Sequence, residues 1–340
     1  MNLSILRIAA VANAVAGTSA GLAGAWSRVA RTPWIGRGAT LFILVVLIAG
    51  ASVASPDFLT APNAANVARQ VVGVGIMSMG MLLVVLTGGI DLSVGSVAAL
   101  SSVVAALLLP GQGLVLAMAS GLAVGAACGL VNGALIAIGR LSAFVVTLAM
   151  MTIARGAALI ASNGAPILVG DEGQALLDFG RGAWWHLPQT TLLMLAVFAC
   201  GAVFLGLTRA GRIVRAIGSN EEAVRLSGVP VARHVMLAYA VCGALAGMAG
   251  MVSTARAGVG APASGVGDEL TVIAAVVIGG ASLAGGRGTV LNTLVGVLIL
   301  GVISNIMNLT SVPGYHQQVV MGLIILVAIV VQRGAGAGPR

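Results

Sequence analysis

Apolar residues run along this chain in long blocks, separated by short stretches rich in glycine, proline and charge. A helix that crosses a bilayer needs about 20 consecutive, mostly apolar residues. Residues 92–139 contain no charged side chain at all, a run of 48 positions, which is enough for two crossings. Cutting the chain at its polar breaks predicts ten helices, near 39–55, 69–87, 93–109, 114–138, 143–162, 189–207, 234–256, 269–284, 288–308 and 316–332. The expected fold class is an all-α polytopic membrane protein with about ten transmembrane helices.

Composition supports this. Of 340 residues, 59% are hydrophobic and 8% charged, whereas roughly a quarter of the residues in an average protein are charged. All 17 basic residues are arginine, and their placement sets an orientation. If the N-terminal segment (Arg7, Arg28, Arg31, Arg37) is cytoplasmic, the inside connections hold Arg140, then Arg209, Arg212, Arg215, Arg225 and Arg233, then Arg287, with Arg333 and Arg340 at the end. The outside connections hold Arg181 and little else basic, while Asp57, Asp171, Glu172, Asp178, Asp268 and Glu269 gather there. Basic residues stay on the cytoplasmic side, so ten helices with both termini cytoplasmic satisfy the pattern, and eight do not. The net charge of +8 then needs no nucleic acid to explain it; the partner it implies is membrane lipid. Cys128, Cys200 and Cys242 lie inside apolar runs without metal spacing and read as small buried thiols. Trp184 and Trp185 read as an interfacial pair.

The segment MNLSILR, IAAVANAVAG, TSA has the outline of a signal peptide, but its apolar stretch is weak and Asn13 interrupts it. It is read as a cytoplasmic tail over 1–37. The transmembrane domain is then 38–333, with a cytoplasmic loop at 208–233, and 334–340 forms a C-terminal tail. Gly121, Gly125 and Gly129 recur at four-residue spacing on one predicted helix, and Gly243, Gly247 and Gly250 nearly do so on another. Such stripes let helix backbones approach closely in lipid. TGGIDLSVGSV (87–97) also echoes IGGASLAGGRG (278–288) at an offset of 191, a weak sign of a parallel internal repeat.

Loop 208–233 carries five arginines and two glutamates in 26 residues. Ser219 and Glu222 fit a capping box, and Glu221 and Glu222 suit the positive end of a helix dipole. Gly228 and Pro230 stop the helix. A short helix over about 220–227 is expected outside the membrane. Connections between packed helices usually take roughly 2–8 residues, so a loop this long with its own capped helix argues for docking to a partner.

Three polar residues stand out within or beside the spans. Asp91 has two readings: a cap for the next helix, accepting from amides around Val94 near the inner face, or a member of a polar path. Arg155 lies about 16 Å along its helix from Phe144 at 1.5 Å per residue, where it must face a cavity, a carboxylate or backbone carbonyls, or snorkel outward. Asn132 is expected to bond a neighbouring helix. Asp91, Asn132 and Arg155 are the path candidates. His234 and His316 mark span starts. No catalytic triad or metal cluster is apparent, and no G-x-x-x-x-G-K-[ST] phosphate loop occurs, so the chain is read as a non-enzyme.

LTGGIDLSVGSV, AIGSNEEAVRLSGV, VIGGASLAGGRGTV and SNIMNLTSVPGYHQQVVMGLIILVAIVV, in this order, resemble the ribose-type permease subunits of binding-protein-dependent ABC importers. The resemblance runs from about Phe58 to Val331. It implies a homodimer or heterodimer of permease chains in a bacterial inner membrane. A cytoplasmic ABC ATPase carries the ATP and Mg, and a periplasmic or lipid-anchored solute-binding protein delivers a monosaccharide. It further implies that Asn220 to Gly228 is the coupling helix, with Glu221, Glu222 and Arg225 in polar contact with the ATPase and Val224 and Leu226 facing the permease or the ATPase groove. Permeases for nucleosides or other solutes are the neighbouring alternative. A stand-alone secondary transporter would need intramembrane acids or broken helices, and Asp91 is the one acid with such a claim. A membrane scaffold would leave the capped helix with docking as its only role.

Overall fold

The computed structural model describes residues 35–185 and 187–336. The predicted tails lie outside the described residues up to residue 34 and beyond residue 336. Helices occupy all ten predicted positions. α1 spans Ile35–Ala54. α2 (Ala61–Gln70) and α3 (Val72–Leu86) form one apolar unit bent by 41°. Thr60 caps α2 by accepting from the Asn63 amide, and Pro62 falls in its first turn, where a missing N–H costs nothing.

α4 (Val94–Ala137) covers two predicted helices. Pro110, Gly111 and Gly113 have non-helical dihedrals and divide it into two arms. The second arm folds back along the first, because a side chain at Gly121 would meet the Ser101 carbonyl and the Ala105 methyl. α5 follows at Ala143–Ala161. Next comes a small cap made of a two-residue strand β1 (Ile167–Leu168), a 3₁₀ turn at Asp171–Gly173, α6 (Gln174–Arg181) and the antiparallel pair β2 (Ala183–Trp184) and β3 (Leu187–Pro188). The predicted outer loop is therefore folded, and it displays Trp184 and Trp185, the latter 92% exposed.

α7 (Gln189–Leu207) returns to the opposite end, where α8 (Arg209–Ser219) and α9 (Glu221–Leu226) lie. α10 (Val231–Ala257) starts beside α9 and ends at β4 (Val259–Gly260), which pairs with β1. Its 27 residues give about 40 Å at 1.5 Å per residue, so it joins the two ends. α11 (Asp268–Ile278), α12 (Val290–Leu309) and α13 (Gly314–Gly336) complete the fold; α13 extends into the predicted C-terminal tail.

Among the described residues, five helices are long and apolar enough to cross a bilayer (α4, α5, α7, α10 and α12), or six if the bent α2–α3 pair is one span. α11 has 11 residues, about 16 Å, or half of a hydrocarbon core of roughly 30 Å.

α3 is buried on every side, from Ile76 through Leu86, and its neighbours are α7, α8, α10, α11 and α12. The predicted glycine stripes face each other across the α4–α10 contact. A Cβ on Gly125 would overlap the Gly243 carbonyl, and a Cβ on Gly243 would overlap the Gly125 carbonyl. Apolar faces of α1, α5 and α13 stay exposed, with Phe42, Val145, Ile160 and Val319 among them. Lipid tolerates such faces, because its tails are as apolar as the side chains.

Candidate functional site

The 208–233 connection holds two helices where one was expected. α8 was missed because its arginines read as loop. Its signal was Thr208, whose hydroxyl accepts from the Gly211 amide, followed by Val214 and Ile217, which are buried on one face. The expected capping box is corrected as well. Asn220, in extended conformation, caps α9 by accepting from the Ala223 amide. Ser219 closes the preceding helix instead, donating to the Arg215 carbonyl. Asn is as good a cap as Ser, and here it separates two helices that a Ser219 cap would have overlapped.

α9 itself matches its prediction within a residue at each end. Glu221 and Glu222 occupy its first turn, Arg225 its last, and Gly228 ends it with φ of +79°. Glu222 pairs with Arg225, and the carboxylate holds the guanidinium above its ordinary value. Glu221, Glu222, Arg225 and Leu226 are exposed, Leu226 to 79%, while Val224 is half-buried.

α8 packs on α7, α10 and α3, and its tightest approach to the core is at Gly218. Gly218 sits so close to the Leu86 carbonyl and the Gly286 amide that no side chain fits there. Those two groups hydrogen-bond each other, the Gly286 N–H donating to the Leu86 carbonyl at 3.1 Å. Leu86 immediately precedes the first echoing motif and Gly286 lies in the second, and the helix ends at these two motifs are built alike. At the end of α3, Gly88 donates to Val85 and Gly89 to Val84; at the end of α11, Gly280 donates to Val277 and Ala281 to Val276. Both are Schellman turns, with Gly88 at φ +84° and Gly280 at φ +82°. The structural offset is thus 192, one more than the sequence alignment indicated, and both turns sit at the α8 end.

A cavity of about 660 Å³ opens between α9, the end of α3, the connection from α4 to α5 and the start of α10, with Gly88, Gly89, Arg140, Glu221, Arg225 and Tyr239 in its lining. Beyond its wall lies Asp91. Asp91 is 1% exposed, and its Oδ1 accepts from the Ser93 amide at 2.9 Å and the Ser93 hydroxyl at 2.6 Å. Asn132 donates to the Ser93 hydroxyl at 3.0 Å, the Tyr239 hydroxyl donates to the Ile90 carbonyl at 3.1 Å, and the Cys242 thiol faces the carboxylate.

The expected cap to amides around Val94 is therefore corrected. The acceptor serves Ser93, two residues on, in an Asx-type turn. Its depth is corrected too. Tyr239 and Cys242 stand 8 and 11 residues into α10, roughly 12–16 Å from the α9 end. The glycines of the motif stay at the cavity, and the acid is carried inward from it.

The remaining path candidates sit apart from one another. Asn132 bonds the head of α4, the helix to which it belongs, rather than a separate helix. Arg155 is at the other end of the molecule, where its Nη1 donates to the Pro262 and Ser264 carbonyls, both at 2.6 Å. Of its four predicted environments it takes backbone carbonyls. The buried pair Asn63 and Asn305 exchange amide bonds at 3.0 and 2.8 Å between α2 and α12, a contact the sequence does not single out because other polar residues lie near each of them, Asn66 beside the first and Ser304 and Asn308 beside the second. Among the described residues no three His, Cys, Asp or Glu side chains are placed to share a metal ion.

Residues 63–329 match the family described as the permease component of branched-chain amino acid transport systems. Similar proteins include the ribose import permease protein RbsC of Escherichia coli (strain K12), 43% identical over 301 residues that cover 88% of this chain and 94% of the relative. The ribose import permease protein RbsC of Bacillus subtilis (strain 168) is 42% identical, covering 87% of this chain and 92% of its own. The L-arabinose ABC transporter permease protein AraH of Azospirillum brasilense is 38% identical, covering 87% of each. No solved structure matches.

Proposed function

This chain belongs to the permease-component family of binding-protein-dependent transport systems, and on that premise we propose how it works as the membrane subunit of a sugar importer. It is a multi-pass protein of a bacterial inner membrane, and its cargo is a monosaccharide of the ribose or arabinose kind, as in the relatives named above. It carries no enzymatic step of its own. An ATPase subunit and a solute-binding protein complete the importer.

The finer reading concerns coupling. α9 is the element on which the ATPase docks, with Glu221, Glu222 and Arg225 making polar contacts, Leu226 entering a groove, and Asn220 and Gly228 fixing the two ends of the helix. Val224 holds α9 to its own subunit. Both chain termini share this cytoplasmic side, and two permease copies enclose the path. ATP and Mg act on the partner, and motion there reaches the permease through α9 and α8.

The observation that carries this reading is the Gly218 contact. A surface helix with no buried residue of its own follows directly on a helix that touches the end of α3 and the Gly285–Gly286 loop between α11 and α12 at one shared hydrogen bond. A displacement of α8 has to move both the end of α3 and the Gly285–Gly286 loop, because interfaces packed without free space transmit strain. The α3 turn lines the cavity and leads into the Asp91 loop, so the cytoplasmic mouth of the path would open or close with it. ATP binding and hydrolysis would thereby alternate the access of a central cavity.

Co-purification tests this. The parent chain is expected to retain its ATPase subunit, and the double variant Glu221→Ala/Glu222→Ala to lose most of it while inserting normally in the membrane. A variant that retained the ATPase and transported at the parent rate would remove these two side chains from the docking surface.

A further inference from the structure

Two small cavities, of about 170 and 250 Å³, open on either side of a shared wall made of Gln70, Val74 and Asp268. Each is smaller than the roughly 300–1,000 Å³ pockets that take drug-sized ligands, and each suits a small solute. Three chain breaks meet there. Gln70 is the last residue of α2, at the 41° bend before α3. Asp268 is the first residue of the half-length helix α11, entered through Gly267 at φ +85°. Arg256 is in the last turn of α10, about 38 Å along that helix from the α9 end. Discontinuous helices that meet inside a membrane mark substrate sites in transporters, because unwound backbone is tolerated only where it lines a cavity.

The polar groups in these cavities divide into two sets. Some are already satisfied: Arg256 donates to the Arg69 carbonyl at 2.7 Å, the Ser264 hydroxyl to Ala261 at 2.8 Å, and the Thr271 hydroxyl to Gly267 at 3.3 Å. The side chains of Gln70, Ser253, Asp268 and Ser304 have no hydrogen-bond partner among the described residues. Unused, they amount to two carboxylate oxygens, an amide with donor and acceptor sides, and two hydroxyls. A neutral polyol complements that set, since a carboxylate can accept from two adjacent hydroxyls at once. Arg155 fixes the neighbouring wall, clamping the Pro262 and Ser264 carbonyls, and its charge lies within range of Asp268 and Glu269.

We propose that Gln70 and Asp268, with Ser253 and Ser304 beside them, form a transient sugar subsite in the half of the permease that faces away from α9. It rests on the reading of the chain as a sugar permease and adds the residues that hold the cargo as it enters. Asp268 is the hydroxyl acceptor, Gln70 the second contact, and Arg155 a positioning residue for the loop that walls them. The subsite is distinct from the Asp91 cluster, which lies toward the α9 end of α10.

The test uses the whole importer, with its ATPase and binding protein, in proteoliposomes. The probes are whichever of D-ribose and L-arabinose the parent accumulates and the 2-deoxy analogue of that sugar, with the binding protein saturated in each case. Asp268→Asn, and separately Gln70→Ala, are expected to lower sugar uptake about ten-fold while ATP hydrolysis stimulated by the loaded binding protein continues. Asp268→Asn is also expected to narrow the preference for sugar over deoxy-sugar that the parent displays. Unchanged uptake in both variants overturns the subsite, as does a proportional fall for both sugars with the preference intact. A parent importer that hydrolyses ATP yet accumulates neither pentose overturns the sugar reading itself and the ligand class with it.

Discussion

Asp91 keeps a carboxylate in an apolar interior because its own loop supplies the donors. The Ser93 amide and hydroxyl both point at one oxygen, and Asn132 holds the hydroxyl from behind. Replacing the acid by alanine leaves a buried N–H and a hydroxyl without their acceptor, which costs about 1–3 kcal/mol. Asp91→Ala is therefore expected to lower the thermal unfolding midpoint of the detergent-solubilised protein clearly, and Asp91→Asn to lower it less, since the amide oxygen still accepts. The Asn63–Asn305 pair makes a second, milder prediction. Side-chain bonds between membrane helices contribute roughly 0.6 to 2 kcal/mol, so Asn305→Leu should destabilise by an amount in that range in the same unfolding measurement. Of these residues, Asp91 and Asn132 stood out in the sequence because they interrupt an apolar run. Their relation did not, because Ser93 and Asn132 are 39 positions apart and only the fold-back at Pro110–Gly113 brings them together.

The glycine stripes of α4 and α10 were legible as helix-packing surfaces from spacing alone; that they pack on each other was not, since any two small faces satisfy the same pattern. Their mutual overlap at Gly125 and Gly243 makes the contact intolerant of bulk. Gly125→Leu has to push the two backbones apart, and overpacking of this kind costs about 1–3 kcal/mol or more. The expected outcome is loss of the folded, monodisperse peak in size-exclusion chromatography, with Gly206→Leu, where the site is open, as the tolerated control. The coupling loop was legible in part. Charge, length and the Glu-Glu pair located α9, but α8 was hidden because a helix with three arginines in eleven residues gives a loop-like average. The pattern of one buried residue per turn at Gly211, Val214 and Ile217 carried the helical signal, and it emerges only when charge is ignored.

Across the whole molecule the two ends have different work. The α9 end gathers exposed charge, the large cavity, the two Schellman turns and the close approach of Gly218 to Leu86 and Gly286. The other end gathers the small strands, the broken helices and the unpaired polar groups around Asp268. Ten helical positions could be read from apolar block lengths, because block length is what the bilayer constrains. The half-length of α11 and the bend after Gln70 could not be read, because a helix that stops inside protein needs no polar residue to end it; glycines suffice. The central claim is that ATP hydrolysis on a partner drives sugar through this chain by way of α9, α8 and Gly218. The measurement that tests it most directly is uptake of D-ribose or L-arabinose into proteoliposomes holding the complete importer, scored against ATP hydrolysed, for the parent and for Gly218→Val. The account predicts uptake that depends on ATP in the parent and falls about ten-fold in the variant while hydrolysis continues and the ATPase stays bound. Uptake by Gly218→Val at the parent's ratio of sugar to ATP, or parent uptake that proceeds without the ATPase, would contradict it.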